Sequence, residues 1–276
     1  MPVLKIVPLD SIIIHEHHDR RRSEKLAIVI KADGVLKDPP IVARLGGKGE
    51  RYVHLDGANR IDTLKLLGCR DILVQVVDYY DEEQVRLDSW CHLTRMDKDL
   101  LLRQLGSVQG AKVRKADHLS VTELLRRRKA LCGIFFSDGD SYAVEGGNGL
   151  ASRVELLNKV VDIYKAEIAR DVLELGELTS QIGALFRRHS HEGYNVLIAF
   201  PKFTPKEIVE IAERGMKLPA GITRHLITNR ALRVNFPLMI LDSKKIPLEE
   251  KNALLDDFLR RKSPRLYKES TVMYDE

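Results

Sequence analysis

The fold of the first part of this chain is indicated by the stretch Arg51-Tyr52-Val53-His54-Leu55, followed directly by Asp56-Gly57-Ala58-Asn59-Arg60. Residues 51–55 predict a strand, and the leucines at helical spacing after Arg60 predict a short helix that stops at Gly68. A strand that enters a helix through a glycine offers backbone N–H groups and the positive end of the helix dipole to an anion. Arg60 adds a cation suited to phosphate. An ordinary turn with a solvated arginine explains the stretch equally well, because a full glycine-rich phosphate loop is absent.

Further elements surround this turn. Strands are predicted at 3–7, 41–43 and 72–77, and a helix at 24–33. Residues 1–80 therefore form one predicted α/β unit, and 81–276 form a mixed, helix-rich second unit. Within the second unit, charge and spaced leucines predict mostly helix from 81 to about 130, and a long helix at about 152–175. Residues 218–225 are predicted to be an irregular link between elements.

Composition limits the class of protein. Hydrophobic residues make up 44% of the 276 residues, which is typical of a folded globular chain. There is no apolar run long enough to span a bilayer and no secretory signal pattern, so we expect a cytoplasmic protein without a membrane partner. The three cysteines are too few and too scattered for a disulfide framework or a zinc site. A net charge of +5 suits either a polyanionic partner or a site for several phosphate charges.

Three other clusters carry groups capable of chemistry. Glu16, in a run of histidines, is a candidate general base, although a solvated polar loop is the more common explanation of such a run. The single tryptophan, Trp90, lies two residues before His92, in a pattern that also suits a core aromatic. Thr223-Arg224-His225 offers donors that would grip a carboxylate or cap a neighbouring element.

Taken in order, these segments resemble a known family. The succession of strand, polar loop, helix, Asp38-Pro39-Pro40, strand and the 56–60 turn resembles the ParB/sulfiredoxin-like domain over about residues 3–80. Sulfiredoxins carry a catalytic cysteine in this turn, where this chain has Ala58. Partition proteins of the ParB type carry a different turn and a helix-turn-helix, which the sequence does not show.

The remaining branch of that fold is the free L-serine kinases, which include archaeal ADP-dependent enzymes and an ATP-using enzyme linked to siderophore biosynthesis. Their signature is a His-Glu pair, an Asp-Gly-x-His-Arg turn, a Trp-His element and a Gly-Ile-Thr-Arg loop. This chain resembles it nearly throughout, with two departures: Asn59 replaces the usual histidine, and Cys91 lies where a second histidine is common. The four matching segments begin at His15, Asp56, Trp90 and Gly221.

The resemblance implies a mechanism and a set of residue roles. Glu16 would accept the proton of the serine hydroxyl, and ATP or ADP would donate the phosphoryl group to give O-phospho-L-serine. The nucleotide would be held by the turn, and Asp56 would support a Mg²⁺ ion. The predicted nucleotide-binding residues are Asp56, Gly57, Ala58, Asn59 and Arg60, and the predicted substrate-binding residues are Trp90, His92, Thr223, Arg224 and His225.

A different class of function is the main alternative. The chain has a pI of about 9.0 and a basic run at 126–129, features that would suit a ParB-like, effector-sensing DNA-binding regulator. No aromatic residues interleave with this basic run, so a solvated helix face explains it better. A nucleic-acid partner is therefore the less favoured expectation, and the oligomeric state is left open by the sequence.

Overall fold

The computed structural model of the chain describes residues 1–47, 49–173 and 178–266. Within these residues the strands are β1 Val3–Pro8, β2 Ile12–Ile13, β3 Val35–Leu36, β4 Ile41–Arg44, β5 Tyr52–Asp56, β6 Asp71–Val77, β7 Val85–Thr94, β8 Ala111–Lys115, β9 Cys132–Phe136, β10 Ser141–Gly146, β11 Ala169–Val172, β12 Val196–Ala199, β13 Thr223–Ile227 and β14 Phe236–Pro237. The α-helices are α1 Arg20–Asp33, α2 Ala58–Leu66, α3 Lys98–Gly106, α4 His118–Arg126, α5 Leu150–Asp162, α6 Leu178–Arg188, α7 Pro205–Glu213, α8 Leu238–Asp242 and α9 Leu248–Arg260. Mixed α/β architecture is confirmed.

The first sheet has the order β1-β6-β4-β5-β2 among the described residues. Strands β4 and β5 are antiparallel, whereas β2 runs parallel to β5, so the chain leaves β2 at the same edge where β5 ends. Helix α1 begins at Arg20, earlier than predicted, because the Asp19 side chain accepts hydrogen bonds from the N–H groups of Arg21 and Arg22. This arrangement brings the loop after β2 close to the 56–60 turn.

The end of the chain packs back onto this first sheet. Phe236, Leu241 and Leu255 are buried in the same apolar cluster as Ile6 and Leu73. Beside that cluster the buried Lys251 ammonium donates to Asp71 Oδ2 at 2.8 Å and to the carbonyl of Leu241 at 2.9 Å. A division into 1–80 and 81–276 stays a prediction, and residues 236–255 contribute to the core of the first unit.

The second sheet has the order β11-β7-β12-β9-β10-β8 in the described part of the chain, with β13 paired to the first half of β7. The prediction of mostly helix over 81–130 was wrong for residues 85–94 and 111–115, which are strands. Strand β7 alternates apolar and polar residues from Val85 to Leu87, which is a strand period that the flanking leucine-rich helices obscured. The 152–175 helix prediction was also wrong, because α5 ends at Asp162 and β11 follows; residues 174–175 of it lie outside the described residues.

Candidate active site

Glu16 lies where the loop after β2 meets the segment before β13. The two segments pair through a short parallel bridge, in which the N–H of His17 donates to the carbonyl of Leu218 and the N–H of Leu218 donates to that of His15, both at 2.8 Å. Residues 218–222 precede β13, and residues 223–225, predicted to be part of an irregular link, belong to this strand. The bridge fixes Glu16 against the Gly221–Thr223 segment.

The Glu16 carboxylate is held by two donors through one oxygen. The Thr223 hydroxyl donates to Oε2 at 3.2 Å, and the Gly221 N–H approaches the same oxygen at 3.4 Å. Burial raises the pKa of Glu16 to about 7; the two hydrogen bonds and the nearby Arg170 oppose the rise, and Asp56 adds to it. A carboxylic acid that titrates near neutral pH is suited to accept and release a proton.

The 56–60 turn lies at the end of β5, close enough for the Asp56 charge to act on Glu16. Gly57 has a φ of 91°, and a side chain there would meet Arg60 and Pro40 at 3.0 Å, so this position requires glycine. No side chain of the described residues caps α2, which leaves its first N–H groups available to an anion. Ala58 begins the helix, and Asn59 accepts from the Ser23 hydroxyl at 3.4 Å.

The Arg60 guanidinium already makes hydrogen bonds within the protein. It donates to the carbonyls of Asp38 at 2.8 Å and Pro39 at 3.3 Å, and to Asp56 Oδ2 at 3.1 Å. A second guanidinium, that of Arg230, donates to the same Oδ2 at 2.6 Å. Two arginines thus share one carboxylate beside an uncapped helix, and the turn keeps a surplus of positive charge.

The same contacts bear on a metal ion. The described residues hold no group of three or more His, Cys, Asp or Glu side chains that would form a metal cage. Asp56 Oδ2 faces two guanidiniums rather than an oxygen-lined space. A Mg²⁺ ion at this turn would therefore take most of its ligands from nucleotide phosphates and water. Asp56 as a metal ligand stays a prediction.

Strand β7 supplies Trp90 and His92. The Arg224 guanidinium carbon lies 5.0 Å from the centre of the Trp90 ring, in a cation–π contact, and makes no hydrogen bond within the residues described. His92 is buried, with Nε2 2.9 Å from the carbonyl of Gly221 and Nδ1 3.2 Å from the Tyr164 hydroxyl. Because a carbonyl only accepts, Nε2 carries the proton and holds the Gly221 loop against Glu16.

Cys91 faces away from these residues. Neighbouring side chains on a strand point to opposite faces, and Cys91 packs in the apolar cluster with Leu93 and Phe135. Burial raises the pKa of its thiol to about 12, and the thiol contacts the carbonyl of Asp171. The departure at position 91 thus lies in the core behind the site.

His225 is also built into the protein. Its Nε2 lies 2.7 Å from the Tyr79 hydroxyl, and its ring stands edge-on to that of His15 at 5.7 Å between centres. Burial holds the pKa of His225 well below its usual range, so the ring is neutral. Among the five predicted substrate-binding residues, Trp90 and Arg224 keep the most freedom to contact a ligand.

The chain is similar to known serine kinases over most of its length. No known family profile matches the chain. It is 27% identical to the ATP-dependent L-serine kinase SbnI of Staphylococcus aureus over 241 residues, which cover 86% of this chain and 84% of that protein. It is 25% identical to the ATP-dependent L-serine kinase of Staphylothermus marinus, over 86% of this chain and 90% of the relative. The solved structure of C-terminally truncated SbnI from Staphylococcus aureus shares the fold, with a TM-score of 0.69 and 24% identity. The match covers 93% of this chain and 95% of the solved one.

The similarity to ATP-dependent L-serine kinases spans 86% of the chain. Residues from both ends of the chain meet at Glu16, which contacts Gly221 and Thr223. None of the described helices has the length and apolar character needed to cross a membrane.

Two arginines of this candidate site were missed by sequence reasoning. Arg170 on β11 pairs in register with His92 on β7, and it reaches the Gly221 loop, where a side chain on Gly221 would collide with it. Arg230 lies on residues 228–235, between β13 and β14, and is positioned by Gln75, which bonds the backbone of Asn229 and Ala231. Neither arginine belongs to a local motif, so only the tertiary fold identifies them.

The basic run at 126–129 is partly neutralised, because two carboxylates pair with three of its four cations. Arg126 and Arg127 pair with Glu123, and Arg128 makes two contacts of 2.5 and 2.6 Å to Glu207. A continuous positive surface for DNA would need these guanidiniums free. No observation in the described residues favours the regulator over the kinase.

Proposed function

We propose that this chain transfers the terminal phosphoryl group of ATP to the hydroxyl of free L-serine, with Glu16 as general base. The observation that carries the proposal is the position of Glu16, a carboxyl group with a pKa of about 7 beside the uncapped, arginine-rich end of α2. Phosphoryl transfer needs a proton acceptor next to a phosphate site, and these two features lie together here.

Glu16 is the proton acceptor in this proposal. Its Oε2 receives both protein hydrogen bonds, and Oε1 makes none within the described residues, so Oε1 is the oxygen offered to the serine hydroxyl. A base with a pKa near the working pH combines adequate ionisation with adequate proton affinity. His92 supports the base indirectly, because it holds the Gly221 loop whose N–H faces the carboxylate.

The phosphates bind at the Asp56–Arg60 turn. The free N–H groups at the start of α2 and the guanidiniums of Arg60 and Arg230 would receive phosphate oxygens. Arg230 supplies from the far end of the chain a cation that a histidine at position 59 would have supplied locally. Mg²⁺ bound to the nucleotide would neutralise further phosphate charge.

Arg224 and Trp90 are proposed to hold the amino acid. The Trp90 ring braces the Arg224 guanidinium, which suits a bidentate grip on the serine carboxylate. Thr223 acts through Glu16, and His92 and His225 act by fixing the surrounding segments. ATP is the proposed donor because both relatives are described as ATP-dependent, and ADP is the comparison to run beside it.

The experiment that tests the proposal replaces the base. Glu16→Gln keeps the shape of the side chain and should lower serine phosphorylation by roughly a hundredfold or more, the usual size for a general base. Glu24→Gln is the matched control, since Glu24 is exposed and pairs only with Arg20 on the same helix. Wild-type turnover in Glu16→Gln, with an unchanged melting temperature, contradicts the assignment.

A further inference from the structure

A hydrogen-bond chain runs from Glu16 into the protein interior. Glu16 Oε2 lies 3.2 Å from the Thr223 hydroxyl oxygen, which lies 3.1 Å from Nε2 of His15. The other ring nitrogen of His15, Nδ1, lies 2.9 Å from the backbone carbonyl of His54. His15 is fully buried and Thr223 nearly so, and the hydrogen-bonding atoms of both side chains find partners within the protein.

The His54 carbonyl, at the inner end of the hydrogen-bond chain, determines which ring nitrogen of His15 carries the proton. A carbonyl oxygen only accepts hydrogen bonds, so Nδ1 of His15 must carry the proton that points at His54. Burial lowers the pKa of His15 to about 4, so the ring holds one proton at neutral pH. Nε2 is therefore an acceptor that faces Thr223.

The Thr223 hydroxyl therefore faces two acceptors but carries only one proton to donate. Its hydroxyl can donate to Nε2 of His15 or to the Glu16 carboxylate, but not to both. While Glu16 is ionised, one of the two contacts lacks a proton. When Glu16 is protonated at Oε1, the neutral acid is a weaker acceptor than the carboxylate, so the Thr223 O–H donates to Nε2 of His15 instead.

We propose that His15 is a positioning residue that strengthens Glu16 as a base by competing for the hydroxyl proton of Thr223. The uptake of the serine proton at Oε1 removes the negative charge that competes with His15 for Thr223, so the hydrogen bond from Thr223 to His15 forms as Glu16 becomes protonated. This inference rests on the proposed function for its role in catalysis.

In the proposed step, Glu16 receives the proton that serine loses, and serine receives the phosphoryl group that ATP loses. The serine O–H bond breaks, and its proton joins the Glu16 carboxylate. The serine oxygen forms a bond to the terminal phosphorus of ATP, the bond from that phosphorus to the bridging oxygen breaks, and ADP leaves with the bonding pair. Protonated Glu16 then returns its proton to solvent.

Other charged or titratable groups lie near Glu16 and His15, and their influence on Glu16 can be distinguished from that of the His15–Thr223 contact. Glu16 also faces Arg170, which lowers its pKa, and Asp56, which raises it. The His15 ring faces those of His54 and His225, at 4.4 and 5.7 Å between centres, and burial keeps both neutral. Tyr79 contacts His225 and remains protonated because burial raises its pKa well above the usual range. The test variant leaves all of these in place.

The test variant is His15→Asn. The asparagine amide N–H stands in for Nδ1–H and keeps the bond to the His54 carbonyl, whereas the Nε2 acceptor is removed. Thr223 then donates only to Glu16, so the acidic limb of kcat/KM should move to lower pH by about one unit, the size of one hydrogen bond. The control is His54→Asn, which disturbs the same packing but keeps the His15–Thr223 contact. The acidic limb of its kcat/KM profile should lie at the same pH as in wild type. An unmoved limb in His15→Asn overturns the proposal.

A second measurement needs no enzymatic activity and no variant. Nitrogen-15 NMR of the histidine rings in the wild-type protein should show His15 neutral at pH 7, with the proton on Nδ1. A proton on Nε2, or a doubly protonated ring, overturns the proposal. If this tautomer is found but no phosphoserine is formed from ATP and serine, the hydrogen-bond chain stands and the proposed function fails.

Discussion

Arg230 is the residue whose removal should weaken nucleotide binding most selectively. Arg230→Gln removes one of the two guanidiniums at Asp56 Oδ2. The Arg230 side chain is 35% exposed, and a partly exposed ion pair of this kind contributes at most about 1 kcal/mol to folding, so the variant should fold normally. A guanidinium–phosphate contact is worth about 1.5–3 kcal/mol, which corresponds to a loss of roughly 10- to 100-fold in affinity for ATP.

Arg233→Gln is the matched control for this prediction. Arg233 lies on the same segment, is exposed, and uses its backbone N–H rather than its side chain to bond Asp38. Both variants lower the net charge by one, so a general electrostatic effect would weaken both equally. Isothermal titration of each protein with MgATP, without serine, gives the two dissociation constants. Equal affinities for Arg230→Gln and wild type, or equal losses in the two variants, would refute the role of Arg230.

Three further outcomes follow from the structure. The kcat/KM of the wild-type enzyme should rise with pH through about 7 and then level off, because Glu16 acts only when ionised; a flat profile from pH 5 to 9 would exclude it as the base. Folding raises the pKa of Glu16 from about 4.5 to about 7, so wild type loses stability from this group as pH rises across that window. Glu16→Gln should therefore gain about 3 kcal/mol relative to wild type at pH 8 and little at pH 4.5, measured by urea unfolding. Lys251→Met leaves Asp71 buried without its partner and should cost about 3–5 kcal/mol in the same assay, whereas an effect below 1 kcal/mol would show that the last helix is not part of the first core.

The 1–80 region was predictable because its signals are local. Gly34 and Gly68 mark the ends of α1 and the α2 segment, and both adopt the left-handed conformation that glycine allows. Gly57 does the same at the turn, where a strand passes directly into a helix. Each of these positions can be read without knowledge of distant residues.

The second part of the chain was harder to predict because its elements depend on distant partners. Strand β7 pairs with β11, β12 and β13, whose positions along the chain reach residue 227, and only that pairing distinguishes it from the helices around it. Helix α5 ends at Asp162 without a glycine or proline to mark the stop. Local patterns favour helix in both cases, and tertiary pairing overrides them.

The candidate site divides in the same way. Glu16 and the 56–60 turn were singled out from the local sequence, and the resemblance to the serine kinases implied their roles, which stay predictions. The link from Glu16 through Thr223 to His15 joins residues more than 200 positions apart, and so does its contact with Gly221. Arg230 approaches Asp56 across 174 positions. Contacts of this range leave no spacing pattern in a single sequence.

The most direct test of the central claim is the detection of product. Purified protein is incubated with L-serine, Mg²⁺ and either ATP or ADP, and the reaction is followed by ³¹P NMR, with D-serine and Glu16→Gln as controls. We predict O-phospho-L-serine and ADP in equal amounts from ATP and L-serine, and at least a hundredfold less from Glu16→Gln. No phosphoserine with either nucleotide, or undiminished formation by Glu16→Gln, would contradict the account.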